Sequence, residues 1–128
     1  MARDTVLLVE DDAISRKALA ALLAADGYAV IAVASGWEAL AVLEARTAAS
    51  DLVVADLGLP GGPGAAVVEA LRARHTDLPV LVLTGCEADD PVVREQVRPP
   101  LVAYAPKPVD LDQLTTAIAA LLARRAPR

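Results

Sequence analysis

The sequence predicts an α/β domain in which five parallel strands form one sheet covered by helices on both faces. Short runs rich in Val, Leu and Ile alternate along the chain with segments whose apolar residues repeat every three or four positions. The runs are apolar throughout, as expected of strands buried on both faces of a parallel sheet. A length of 128 residues fits one domain with a sizeable core.

Composition narrows the class of protein. Hydrophobic residues make up 55% of the chain but aromatic residues only 2%, so the core is built from Val, Leu, Ile and Ala. The net charge of −5 argues against nucleic-acid binding. Apolar stretches are too short for a membrane span or a signal peptide. A single cysteine, Cys86, excludes an internal disulfide. We expect one soluble cytoplasmic domain over residues 1–128, with a core of about 4–123 and a basic tail, 124–128.

The predicted strands are the five apolar runs, each bounded by turn or charged residues. They cover residues 5–9, 28–34, 51–56, 78–85 and 101–104.

The first two helices are predicted between the first three strands. The first ends near Asp26 and Gly27, a residue suited to a helix terminus. Its predicted inner face is formed by apolar residues at helical spacing: Ile14, Ala18 and Leu22, flanked by Leu19 and Leu23. In the second, Ser35 and Glu38 have capping-box spacing, and Trp37 is expected to be partly buried.

Three further helices complete the alternation. One is predicted over 65–74, and another before Pro99-Pro100, which must end it. The last begins at a capping box formed by Asp110 and Gln113. Its predicted inner face is Leu111, Leu114, Ile118 and Leu121.

Polar residues follow most of the strands, at the edge where ligands bind in open parallel sheets. They are Glu10, Asp11 and Asp12 after the first strand, Asp56 at the end of the third, Thr84 at the end of the fourth and Lys107 past the fifth. Singly, each is more often a turn or cap residue, and Asp12, Ala13 or Ser15 could cap the first helix. Together they predict a site.

The chemistry of that site follows from its residue types. Crowded carboxylates without a basic neighbour suit a hard cation such as Mg²⁺, which prefers oxygen ligands. Lys107 adds a point charge of the kind that binds phosphate. The residues therefore predict a phosphoryl group bound together with Mg²⁺.

Four stretches, "VLLVEDDAISR", "DLVVADLGLPGG", "PVLVLTG" and "YAPKPVD", resemble the receiver domain of two-component response regulators. The last is similar to stand-alone receivers and to those attached to hybrid histidine kinases. The resemblance covers essentially the whole chain. It implies a doubly wound, flavodoxin-like (βα)5 fold with strand order 2-1-3-4-5.

The resemblance also implies a metal-binding set. Glu10 and Asp11 match the acid pair, and Arg16, five residues after Asp11, supports this register. Asp12 is then left to cap the helix. Asp56 completes the metal site together with the backbone carbonyl of Gly58.

The remaining roles likewise come from the resemblance. Asp56 matches the phospho-acceptor, Thr84 the hydroxyl that contacts the phosphoryl group, and Lys107 the lysine of the site. Tyr104 matches the aromatic residue of the conformational switch, and the Lys107-Pro108 bond is expected to be cis.

The expected function is phosphoryl acceptance from a histidine kinase or phosphotransfer protein, in a signalling protein rather than an enzyme. A monomer or weak homodimer without nucleic-acid or membrane partners is expected. Two alternatives stay open: an Mg²⁺-dependent phosphate-ester hydrolase with Asp56 as nucleophile, and a degenerate receiver that acts only as an interaction module.

Overall fold

A computed structural model describes residues 4–45, 50–56, 78–84, 102–106 and 110–124 of the chain. These residues form five strands and three helices. The strands are β1 (Thr5–Val9), β2 (Ala29–Val33), β3 (Leu52–Asp56), β4 (Val80–Thr84) and β5 (Val102–Pro106). The helices are α1 (Ala13–Ala25), α2 (Gly36–Ala45) and α3 (Leu111–Arg124).

The strands form one sheet in the order β2-β1-β3-β4-β5, and every neighbouring pair is parallel. The predicted fold class and strand order are therefore confirmed. Because β1 lies between β2 and β3, the winding of the chain reverses at β1. Such a reversal opens a crevice outside the carboxyl ends of the strands.

Two hydrophobic clusters cover the two faces of the sheet, because successive residues of a strand point to opposite faces. Leu7 and Val9 pack on one face with Leu40 of α2. Val6 and Leu8 pack on the other face with residues of both α1 and α3. The helical residues of this second cluster are Leu19, Leu23, Leu114, Ile118 and Leu121. Burial on both faces explains why the strands are apolar throughout.

The inner face predicted for α1 is wrong at its centre and correct only for the flanking residues Leu19 and Leu23. Ile14 is 82% exposed and Leu22 is also exposed, whereas Leu19 and Leu23 are buried against the sheet. Small and apolar residues of α1 lie on most sides of the helix, so helical spacing alone does not identify the buried face. The way α1 packs on the sheet determines which of its faces is buried.

The ends of α1 follow from Asp12 and Gly27. The Asp12 carboxylate (Oδ2) accepts a hydrogen bond from the Ser15 backbone N–H at 2.8 Å, so Asp12 is the N-cap of α1 as predicted. At the other end Gly27 has a φ of +99°, a conformation that side chains disfavour. The predicted end near Asp26 and Gly27 is confirmed.

The other two described helices also begin at predicted caps. Ser35 Oγ accepts from the Glu38 N–H at 3.2 Å, and Glu38 Oε2 accepts from the Ala34 N–H at 2.8 Å. In α3, Asp110 Oδ1 accepts from the Gln113 N–H at 3.0 Å. Trp37 differs from the prediction, since 69% of its surface is exposed at the beginning of α2.

Several predictions lie outside the described residues. These are the helices over 65–74 and before Pro99-Pro100, the Lys107-Pro108 bond and the tail at 125–128. Among the helices that the structure describes, none is both long and apolar enough to cross a membrane.

Candidate functional site

The strand register brings the carboxyl ends of β1, β3, β4 and β5 to one edge. Val9 is in register with Ala55, so Glu10 and Asp56 follow paired residues on neighbouring strands. Asp56 is in register with Leu83, one residue before Thr84, and Thr84 is in register with Pro106. The backbone therefore places Glu10, Asp56 and Thr84 at the same edge, beside the reversal of winding.

Glu10 occupies the end of β1 in a fixed position. Its residue surface is only 2% exposed. Its backbone N–H donates to the Val33 carbonyl oxygen at 3.1 Å, which extends the pairing with β2 by one residue. Its carboxylate oxygen Oε1 accepts from the Asp12 N–H at 3.0 Å. Backbone and side chain together hold Glu10 at the sheet edge.

The structure separates the three adjacent carboxylates by their surroundings. Glu10 is buried, whereas Asp11 and Asp12 are exposed. Asp12 Oδ2 caps α1 through the Ser15 N–H. This arrangement leaves Asp11 as the exposed acid next to buried Glu10, which is the pairing proposed from the sequence.

Arg16 contacts this turn from the second turn of α1. Its Nη1 donates to the Glu10 carbonyl oxygen at 3.0 Å and lies 3.5 Å from the Asp11 carbonyl oxygen. Sequence reasoning used Arg16 only to fix the register and missed these contacts. The available signal was its place in α1, where a long side chain can extend back over the first turn towards the preceding loop.

The other predicted site residues are described in part or not at all. The backbone places Asp56 and Thr84 at the ends of β3 and β4, and Tyr104 in the middle of β5. Gly58 and Lys107 lie outside the described residues.

The donor set that is described fits a hard divalent cation. Glu10 and Asp11 offer carboxylate oxygens, the ligand type that Mg²⁺ prefers. Within the described side chains no group of three or more His, Cys, Asp and Glu forms a metal cluster. The third acid of the predicted set, Asp56, is described only in its backbone, so the fit rests on the two acids after β1.

Comparison with known proteins identifies the family. A family model of the response regulator receiver domain matches residues 6–119, nearly the whole of the chain. The chain belongs to this family. Receiver domains are the phospho-accepting modules of two-component signalling, and this chain is one of them.

Relatives of the receiver domain include both regulators and kinases. Response regulator protein FleR of Pseudomonas aeruginosa is 40% identical over 114 residues, which are 89% of this chain and 24% of FleR. Sensor kinase CckA of Brucella abortus is 34% identical over 121 residues, 94% of this chain and 13% of CckA. The receiver domain thus spans a quarter or less of these two relatives.

A solved structure supports the same fold. A response regulator receiver protein from Sinorhizobium medicae matches with a TM-score of 0.81 and 30% identity. The match covers 97% of this chain and 98% of that protein. The described elements of this receiver domain are therefore those of a solved member of the family.

Proposed function

We propose that Asp56 is the phospho-acceptor of this receiver domain and that Glu10, Asp11, Asp56 and the Gly58 carbonyl hold Mg²⁺. The observation that carries the proposal is the register of β1 with β3, in which Glu10 and Asp56 follow the paired residues Val9 and Ala55. Two acids at neighbouring strand ends, with Asp11 exposed beside them, suit a cation and an anionic substrate.

The donor is a phosphohistidine of a histidine kinase or a phosphotransfer protein. An Asp56 carboxylate oxygen attacks the phosphorus in line, so that an O–P bond forms as the N–P bond to histidine breaks. The histidine nitrogen keeps the electron pair of that bond and takes up a proton. Mg²⁺, when bound, neutralises charge on the transferring phosphoryl group. The product is an acyl phosphate on Asp56.

The other site residues respond to that product. Lys107 provides a positive charge for the new phosphoryl oxygens, and the Thr84 hydroxyl donates a hydrogen bond to one of them. Tyr104 on β5 then changes its exposure and alters the surface that a partner contacts. This change shifts a population between two existing conformations. The domain acts as a signalling acceptor and not as a multiple-turnover enzyme.

The test is phosphorylation by acetyl phosphate, followed by intact-mass spectrometry of the wild type and Asp56→Asn. We expect the wild type to gain one phosphoryl group when Mg²⁺ is present and none when Mg²⁺ is chelated. Asp56→Asn is expected to remain unmodified. Asp12→Asn is the matched control, because asparagine also caps helices and Asp12 lies outside the proposed metal set.

Three outcomes would contradict the proposal. One is modification that persists in Asp56→Asn, and another is a wild type that stays unmodified in Mg²⁺. The third is repeated turnover of a generic phosphate ester, which would favour the hydrolase instead.

A further inference from the structure

Arg16 follows the three acids of this turn in the sequence, and its guanidinium contacts backbone carbonyl oxygens. Nη1 donates to the Glu10 carbonyl at 3.0 Å and approaches the Asp11 carbonyl at 3.5 Å. The residues contacted are the two proposed metal ligands of the turn. The guanidinium thus holds the backbone from which both carboxylates extend.

The other contacts of the turn fix its remaining parts. Glu10 Oε1 accepts from the Asp12 N–H, and Asp12 Oδ2 accepts from the Ser15 N–H. Both of these bonds join a carboxylate to a backbone N–H. The Arg16 contacts differ because they are made to the carbonyl oxygens, and they cross from the helix to the end of β1.

We propose that Arg16 is a positioning residue for the Mg²⁺ site, which it preorganises by holding the Glu10 and Asp11 carbonyls. This inference rests on the proposed function, since it assumes that Glu10 and Asp11 are metal ligands. Arginine suits the role because its planar guanidinium offers several N–H groups at fixed angles, whereas lysine offers a compact point charge.

A positioning role and a charge role of Arg16 predict changes of opposite sign in Mg²⁺ affinity when its charge is removed. If Arg16 acted only through its positive charge, neutralising it would make the site more negative and would strengthen Mg²⁺ binding. If it positions the turn, neutralising it loosens the two ligands and weakens binding. The sign of the change therefore separates the two roles.

The first experiment measures Mg²⁺ binding by isothermal titration calorimetry for Arg16→Gln, Arg16→Lys and Lys17→Gln. Lys17 is the matched control because it is exposed, adjacent on α1 and loses the same charge. We expect Arg16→Gln to weaken Mg²⁺ binding about fivefold, the effect of losing one hydrogen bond of typical strength. Arg16→Lys should recover part of the affinity, and Lys17→Gln should change it by less than about twofold.

Phosphorylation kinetics provide a second readout. Arg16→Gln should raise the Mg²⁺ concentration needed for the half-maximal rate with acetyl phosphate, while the rate at saturating Mg²⁺ stays that of the wild type. A general loss of folded protein would instead lower the rate at saturating Mg²⁺. Unchanged or tighter Mg²⁺ binding in Arg16→Gln would overturn the proposal.

Amide hydrogen exchange without Mg²⁺ tests Arg16 independently of the proposed function. We expect faster exchange of the Asp12 and Ser15 N–H groups in Arg16→Gln. The Gln113 N–H, which is bonded to an aspartate in the equivalent cap of α3, should exchange as in the wild type. A wild type that binds no Mg²⁺ would contradict the proposed function, whereas unchanged Asp12 and Ser15 exchange would contradict the role of Arg16.

Discussion

Glu10 and Asp51 are both acidic, and both are almost fully buried at an end of a strand, with exposed fractions of 2% and 6%. Glu10 follows β1 at the carboxyl edge of the sheet, whereas Asp51 precedes β3 at the amino edge. Glu10 and Asp51 are therefore nearly alike in residue type and in burial. The two differ in what surrounds them.

Asp51 is bound to the beginning of β1 by a reciprocal pair of hydrogen bonds. Its Oδ2 accepts from the Thr5 N–H at 2.7 Å, and its own N–H donates to the Thr5 carbonyl at 2.8 Å. These bonds join the first residue of β1 to the residue before β3. Asp51 thereby extends the pairing of the two strands by one residue.

Glu10 instead shares a short turn with two further acids, and Arg16 binds the backbone of that turn. A buried carboxylate is therefore not by itself a sign of function. What distinguishes Glu10 is its place at the carboxyl edge together with the neighbouring Asp11, at the reversal of winding between β1 and β3. The comparison predicts that stability depends on Asp51 and Mg²⁺ binding on Glu10.

The largest expected effect on stability comes from Asp51→Ala. Removing the carboxylate leaves the Thr5 N–H without this acceptor, which should lower the free energy of unfolding by about 2 kcal/mol. Asp51→Asn keeps an acceptor oxygen and should cost less. Urea unfolding followed by far-UV circular dichroism measures both. Mg²⁺ affinity should stay that of the wild type. A large fall in that affinity would contradict the assignment of stability to Asp51 and of Mg²⁺ binding to Glu10.

The counterpart is Glu10→Gln, which retains the size of the side chain and an acceptor for the Asp12 N–H. Losing one carboxylate ligand should raise the Mg²⁺ dissociation constant by about tenfold. The free energy of unfolding without Mg²⁺ should change by less than about 1 kcal/mol. Calorimetric titration gives the first quantity and urea unfolding the second. Glu44→Gln, the same charge change at an exposed position of α2, serves as the control.

The smallest expected effect concerns Tyr28, just before β2 at the amino edge. Burial, together with the negative charges of Asp26 and Asp4, raises the pKa of Tyr28 above its ordinary value of 10.0. The unfolded chain therefore releases this proton first as the pH rises. The stabilising contribution is complete below pH 10.0 and is lost as the pH rises through the higher folded-state pKa.

Urea unfolding at a series of alkaline pH values measures this contribution. Tyr28→Phe should show a shallower loss of stability above about pH 10, because Tyr28 no longer titrates. An identical alkaline loss in the wild type and in Tyr28→Phe would show that Tyr28 is not its source.

Most of the described fold could be predicted because both faces of the sheet are buried. Continuous apolar runs located all five strands to within about two residues at each end, which is as close as boundaries are usually predicted from sequence. β5 is the instructive difference: it continues through Pro106, beyond the predicted end at Tyr104. Pro106 is accommodated because β5 is an edge strand, where a missing N–H is tolerated.

Local spacing was reliable where a short-range contact decides the structure. Ser35 with Glu38 and Asp110 with Gln113 are each three residues apart, and each pair forms the predicted cap. Asp12 likewise caps α1, as predicted, by accepting from the Ser15 N–H three residues later. Residue spacing gave wrong predictions of side-chain exposure where tertiary packing determines that exposure. The exposure of Ile14 and Trp37 depends on which side of each helix meets the sheet.

The candidate site likewise has features that the sequence predicts and features that depend on tertiary contacts. The acids after β1 and the positions of Asp56 and Thr84 at strand ends follow from residue type and strand order. The Arg16 contacts could not be predicted from residue types, because a cation beside carboxylates is ordinarily expected to pair with them. The metal ligands and the roles of Lys107, Gly58 and Tyr104 stay predictions.

The exposed Trp37 has a practical consequence for spectroscopy. It is the only tryptophan in the chain, and it lies at the beginning of α2 with most of its residue surface exposed. Its intrinsic fluorescence therefore reports on the solvent around that surface and not on the packing of the core. Collisional quenchers should reach the indole in the folded protein, and a protein that covers the beginning of α2 should shield it.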